Sequence, residues 1–279
     1  MNTVTYNGTP ILYTEGSSGG FSSTWSPKTW TGLTVRGSFI WSDGENIYSS
    51  NESDQYVLDK ATSTWSEKTW NGRSSIDRSS IWSDGENIYY SYGFNSQYVL
   101  DKATSTWSPK TWNGFSGFLG NYTWNDGENI YYSNGEYTQY VLNKATSTWS
   151  EKVWNGFTDF QGYYIWSDGE NVYYSHSSDQ YVLDKSTSTW SAKTWNGLSS
   201  FNSPNIWTDG ENVYYSSGSN QYALDKATST WSAKTWNGLT SFNGGNVWTD
   251  NENIYYSNGS DQYVLNKATP TSYAIYYNP

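Results

Sequence analysis

Few side chains in this 279-residue chain can do chemistry, and they fall in a repeating pattern. His176 is the single histidine and cysteine is absent, which excludes a thiol nucleophile, a thiolate metal site and a disulfide. No motif gives His176 a serine or carboxylate partner, so it reads as a solvated loop residue. Carboxylates are numerous, but most return in two settings, Asp-Gly-Glu-Asn and Leu-Asp-Lys-Ala-Thr-Ser-Thr-Trp. Outside recurrent positions they are Glu15, Glu52, Asp77, Glu136 and Asp159. Glycoside hydrolysis needs two carboxylates at a set separation, and nothing in this scatter supplies such a pair. The chain therefore reads as non-catalytic. The Asp-Gly-Glu-Asn runs are four residues long, whereas a helix-flanked calcium loop spreads its ligands over about twelve. They read as tight turns, and neither a metal nor a cofactor is expected.

The chemistry that remains is aromatic. Trp, Tyr and Phe make up 19% of the residues. Trp112-Asn113-Gly114 and Trp154-Asn155-Gly156 set an indole beside an amide: the ring face can stack on sugar C–H groups while the amide takes hydroxyls. The competing reading of these tryptophans is packing.

These residues belong to a repeat. A tryptophan precedes each Asp-Gly (or Asp-Asn) turn at Trp41, Trp82, Trp124, Trp166, Trp207 and Trp248, a period of 41 or 42 residues. All 18 tryptophans fall in three such classes. A second follows each Ser-Thr pair (Trp25, Trp65, Trp107, Trp149, Trp190, Trp231), and a third comes five residues later. Within one period, Asp84-Gly85 between Ile81-Trp82-Ser83 and Ile88-Tyr89-Tyr90 signals a hairpin. Gln97-Tyr98-Val99-Leu100 is a third strand, and a fourth starts near Thr106-Trp107. No helical period occurs. Tyr89 beside Tyr90, and Val99 beside Leu100, put large residues on both faces, as a sheet packed between two others requires. The expectation is an all-β chain, a β-propeller of four-stranded antiparallel blades.

Leu100-Asp101-Lys102-Ala103-Thr104-Ser105-Thr106-Trp107 resembles the kelch repeat's turn between its third and fourth strands. In that family the Asp and Thr tie the turn and the Trp packs between blades. The match recurs from Asp59, Asn143, Asp184 and Asp225, while Ser-rich loops such as Ser175-His176-Ser177-Ser178 replace the family's glycine pair. The resemblance implies a propeller and leaves activity open, since kelch propellers include enzymes and binding modules.

Blade number turns on the ends. Val4 to Tyr13 imitates a first hairpin around Asn7-Gly8, and Ser23-Thr24-Trp25 supplies a fourth strand after a shortened third. Lys267 to Asn278 aligns without gaps on Lys226 to Asn237, with Tyr277 in place of Trp236. This predicts one domain over 1–279 with seven blades, the first degenerate, at about 1–35, 36–76, 77–118, 119–160, 161–201, 202–242 and 243–279. The alternative is six blades, the last closed by the strand of Trp25.

The repeats disagree at one end only. Turns between strands one and two, and three and four, share an end and hardly change. The other two connections share the opposite end and diverge, gaining aromatics in consecutive blades: Tyr92, Phe94, Phe115, Tyr122, Tyr137, Phe157 and Tyr163. With Trp112, Asn113, Trp154 and Asn155 these form the candidate ligand-binding set. Loop drift is the competing reading; drifting exposed loops should gain polar residues rather than rings.

The partner expected is a glycan or protein surface. A formal charge of −11 with no Lys/Arg cluster argues against nucleic acid. The start MNTVTYNGTPILYTEG lacks a signal peptide's basic and apolar regions, and no long apolar stretch suits membrane insertion. Thr3 to Ile11 resembles the start of structural and tail proteins of bacterial viruses, which implies a virion or extracellular setting with other virion proteins as neighbours.

Overall fold

The computed structural model describes residues 2–6, 9–13, 21–32, 39–51, 54–76, 81–92, 96–115, 123–133, 138–158, 165–201, 206–209, 211–241, 246–250, 252–258 and 261–267. Among these none is helical. They form six four-stranded sheets and one two-stranded hairpin.

The hairpin is β1 (Asn2–Tyr6) and β2 (Thr9–Tyr13), followed by β3 (Phe21–Pro27). Blade one is β4 (Phe39–Ser42), β5 (Ile47–Asn51), β6 (Asp54–Asp59) and β7 (Thr64–Glu67). Blade two is β8 (Ile81–Ser83), β9 (Ile88–Tyr92), β10 (Ser96–Asp101) and β11 (Thr106–Pro109). Blade three is β12 (Thr123–Asn125), β13 (Ile130–Ser133), β14 (Gln139–Asn143) and β15 (Thr148–Lys152). Blade four is β16 (Ile165–Ser167), β17 (Val172–His176), β18 (Asp179–Asp184) and β19 (Thr189–Ala192). Blade five is β20 (Ile206–Thr208), β21 (Val213–Ser217), β22 (Asn220–Asp225) and β23 (Thr230–Ala233). Blade six takes β24 (Asn246–Thr249), β25 (Asn253–Asn258) and β26 (Asp261–Lys267) from the end of the chain and β3 from its start.

The seven-blade expectation is thus corrected to six. β3 pairs antiparallel with β26, Trp25 opposite Leu265, and the first hairpin joins no blade. Two residues explain why the N-terminal strand takes this place. In the gapless alignment, Ser272 would stand where Trp231 buries its indole, whereas Trp25 brings an indole that is 1% exposed. Pro270 would stand where Ser229 has φ +52°, an angle the proline ring forbids. Residues 268–279 lie outside the described residues.

Alternation along each strand sends neighbouring large residues into different interblade layers. Ile81, Tyr90, Leu100 and Trp107 of blade two pack with Trp41 and Trp70 of blade one, whereas Trp82 and Tyr89 pack with Trp149 and Leu142 of blade three. All the tryptophans except Trp30 and Trp112 are buried. The Trp107 class is therefore the interblade wedge that the sequence predicts: Trp107 meets Trp70 edge-on at a centroid distance of 5.9 Å.

Backbone also joins the blades. Asn71 N–H donates to Ser105 O and Trp107 N–H donates to Asn71 O, both at 2.9 Å. The same bridge recurs at Asn113, Asn155 and Asn196; between Asn237 and Thr24 it joins blade five to blade six, and between Thr31 and Thr64 it joins blade six to blade one and closes the ring. Gly72 follows the bridge at φ +78°, where a Cβ would lie 2.3 Å from Trp107 O, so only glycine lets the chains approach this closely.

Candidate functional site

The regular end is held by carboxylates acting as turn ties. Asp84 Oδ1 accepts the Glu86 and Asn87 N–H groups at 3.0 and 2.7 Å, and Oδ2 accepts the Tyr89 hydroxyl at 2.9 Å. Burial, then the Asp84 charge, raises the Tyr89 pKa well above the usual tyrosine range. In the outer turn Asp101 accepts from Ala103 N–H and from the Thr104 N–H and hydroxyl, and the Thr104 hydroxyl holds its carboxyl below the usual aspartate range. Lys102 Nζ donates to Asp43 O of the preceding blade at 3.1 Å. The carboxylates are thus engaged in tying turns, as the reading of Asp-Gly-Glu-Asn requires.

The variable end has a recurrent floor that sequence reasoning missed. Trp41 Nε1 donates to Ser50 Oγ at 2.9 Å, and Ser50 donates to Gln55 Oε1 at 2.5 Å. The relay returns at Trp207, Ser216 and Gln221, where Gln221 Nε2 donates on to Gly218 O of the loop itself. In blade four Gln180 Nε2 donates to Ser177 O in the same way. Its sequence signal is a serine nine residues after each anchor tryptophan and a glutamine five or six further on.

The Trp-Asn-Gly step is placed differently from the expectation. After β11 the chain doubles back, and Asn113 is pinned to Ser147 and Trp149 at the regular end. Trp112 is half-buried among Trp82, Tyr89 and Trp149, with the Lys110 ammonium 4.7 Å from its ring centroid. Trp154 is 4% exposed, and Lys152 covers it likewise. The side-chain amides of Asn113 and Asn155, though exposed, donate to Thr146 O and Thr187 O of the next blade at 3.4 and 3.3 Å. An open indole platform with a free amide is thereby corrected to a packed clasp, because close approach of the next blade covers the rings and engages the amides.

Phe115 and Phe157 stand three residues beyond those tryptophans, on the path back toward the variable end. Both are half-buried. Phe115 stacks on Tyr140 at 4.2 Å and tilts against Tyr132 at 5.3 Å. Phe157 stacks on Tyr181 at 4.0 Å with planes 8° apart. Arg73 fills the same slot in its blade, its guanidinium 4.6 and 4.8 Å from the Tyr90 and Tyr98 centroids and Nη2 3.4 Å from the Tyr90 hydroxyl. Leu198 and Leu239 occupy it in the next two copies. The slot thus holds an arginine, two phenylalanines and two leucines over tyrosines of the second and third strands. Sequence reasoning assigned Phe115 and Phe157 but not Arg73, Tyr98, Tyr140 or Tyr181; the constant offset from Trp-Asn-Gly is the signal that finds the slot.

Tyr92 ends β9, paired with Ser96. Phe94, Tyr122, Tyr137 and Tyr163 lie outside the described residues. Among the described residues no three His, Cys, Asp or Glu side chains come together as a metal-binding group.

No protein-family model matches the chain, and no curated protein matches it either. Solved structures do. One, described as the extracellular domain of a hybrid two-component system of B. thetaiotaomicron, matches at 11% identity and TM-score 0.53, over 86% of this chain and 34% of that one. A second extracellular domain of the same description and organism matches at 16% identity and TM-score 0.49, over 94% of this chain and 36% of that one. The chain spans about a third of the length of either neighbour. The first likeness, like the six radial sheets, shows the fold this chain shares: a β-propeller of four-stranded antiparallel blades.

Proposed function

We propose that this chain is a non-catalytic binding propeller whose variable end recognises a glycan or protein surface. The observation that carries the reading is the slot over the strand tyrosines. The repeat keeps the tyrosine ring, half-buried, and varies what lies on it: Arg73, Phe115, Phe157, Leu198. A constant floor beneath changing side chains is how a scaffold presents recognition groups. Half-open aromatic stacks suit sugar C–H faces, and tyrosine hydroxyls suit sugar hydroxyls. The structural neighbour's printed role, an extracellular domain of a hybrid two-component system, is in keeping with sensing or binding. The kelch-like turn belongs to the same proposal, with a virion-borne setting as the finer reading of the N-terminal resemblance.

Screening the purified chain on bacterial cell-wall and capsular glycans tests this. Saturable binding is expected, modest in affinity and little changed by salt, since no phosphate neutralisation drives it. Substituting Phe115, Tyr122 and Tyr163 by alanine together should abolish it. Unchanged binding by a folded triple variant would leave loop drift as the account of the variable end.

The regular end supports a second reading, a structural or decoration component. Its turns are nearly identical, in six copies between first and second strands and in five between third and fourth, and would suit packing against a symmetric neighbour. Such a part would bind only that neighbour and no sugar.

A further inference from the structure

The first strand of each blade has a partner on one side only, as β8 has β9. The six first strands therefore turn toward the propeller axis an edge that no strand of their own blade pairs, and such edges are groups that proteins pair or cover. The N-terminal hairpin lies there. β1 runs beside β16 and β20, and β2 runs beside β4 and β8. Blades one and two stand across a six-membered ring from blades four and five, so the two edges of the ribbon face opposite walls. A segment lying against the first strands of four blades can only be on the axis.

The sequence of the hairpin fits that place. Val4 is opposite Ile11 and Thr3 is opposite Leu12, so apolar residues occur at successive register positions of the ribbon. An isolated two-stranded hairpin is marginal in water, and a ribbon with one face in solvent would spare that face such residues. The tether is also long enough. Eight peptide steps from Tyr13 to Phe21 reach at most roughly 28 Å, while the distance from a first strand to a fourth is roughly 14 Å at strand spacing.

We propose that the N-terminal hairpin is a resident plug: it fills the axial channel, covers the inner strand edges and denies the channel to solvent and ligand. Any recognition is thereby confined to the ends of the blades. The plug stands on placement alone and does not depend on what the variable end binds.

Deleting residues 1–13 leaves β3 in place to close blade six. Hydrogen exchange of this variant should show amides of β4, β8, β16 and β20 exchanging at least tenfold faster than in the full chain, while β7, β11, β19 and β23 change little. Unchanged exchange in the four inner strands would overturn the plug. The absence of cysteine gives a second measurement that needs no deletion. In the full chain Thr5→Cys should react with a maleimide at least tenfold more slowly than Thr111→Cys, placed at an exposed residue. Equal rates would overturn the plug, whether or not the deletion variant folds.

Discussion

The two ends of the propeller are tied by different kinds of bond. At the regular end, beside the aspartate ties within each turn, bonds also run between copies: Lys102 reaches Asp43, Asn71 pins Trp107, and Lys68 Nζ reaches Ser105 Oγ at 2.7 Å. At the variable end they stay mostly within a copy, as from Trp207 through Ser216 to Gln221 and Gly218; Arg73 Nη2 to the Tyr90 hydroxyl is an exception. A turn that contacts the next blade must match it, so all copies are held alike. A loop that answers only to its own blade can change alone. Repetition and variation therefore follow where the hydrogen bonds go.

The sharpest way to break this contrast is alkali. Tyr48, Tyr89, Tyr131, Tyr173, Tyr214 and Tyr255 all have pKa values raised by burial first and by the aspartate they donate to second. Because the folded state holds these protons, the unfolded chain ionises first. Stability is full below about pH 10 and declines above it, by at most roughly 1.4 kcal/mol per pH unit for each tyrosine. Thermal unfolding followed from pH 8 to 12 should show the fall, and Tyr89→Phe should make it shallower. A flat profile would remove the aspartate ties from the account.

Next in size is the wedge. Trp107→Ala should cost on the order of 3–5 kcal/mol, read by urea unfolding, and a loss below about 1 kcal/mol would mean the indole is not holding two blades together. The backbone bridge comes third. Gly114 has φ +82°, and a Cβ there would lie 2.2 Å from Trp149 O, so Gly114→Ala should cost about 2 kcal/mol. A neutral Gly114→Ala would show that the bridge is dispensable.

The variable end should give less. Phe115→Ala loses one stacked pair at a half-buried site, about 1 kcal/mol, and its larger effect should be on binding. Val153 is 74% exposed where other copies have threonine, and Val153→Thr should stay within about 0.5 kcal/mol of the parent. If Phe115→Ala proved as costly as Trp107→Ala, the variable end would be core and the contrast between the ends would fail.

The blade was legible because a hairpin turn, alternating large residues and a fixed period all report local geometry. Asp84, Asp101 and Trp107 do what their spacing implies. Blade number was less legible, since it depends on a pairing between opposite ends of the chain. Even so, Pro270 and Ser272 carried the answer: one cannot take the turn and the other cannot fill the wedge. Trp112 and Trp154 were half-readable. Their ring-plus-amide chemistry suits a sugar, but which side the next blade covers is a tertiary fact. The slot under Arg73, Phe115 and Phe157 escaped because its tyrosines lie on other strands, well beyond the local pattern.

Ring closure by β3 has a consequence for how the protein is made. Trp25 and its partner Leu265 are 240 residues apart, and a ribosome adds about 5–20 residues per second. The first blade strand to leave the ribosome therefore waits on the order of 10–50 s for the last, carrying Phe21 and Trp25 with no ladder to join. Five blades can assemble during that time, each clasping the one before. The final blade must recruit a strand that is already old, so the emergence of β26, rather than any step within an earlier blade, sets when the circle can be completed.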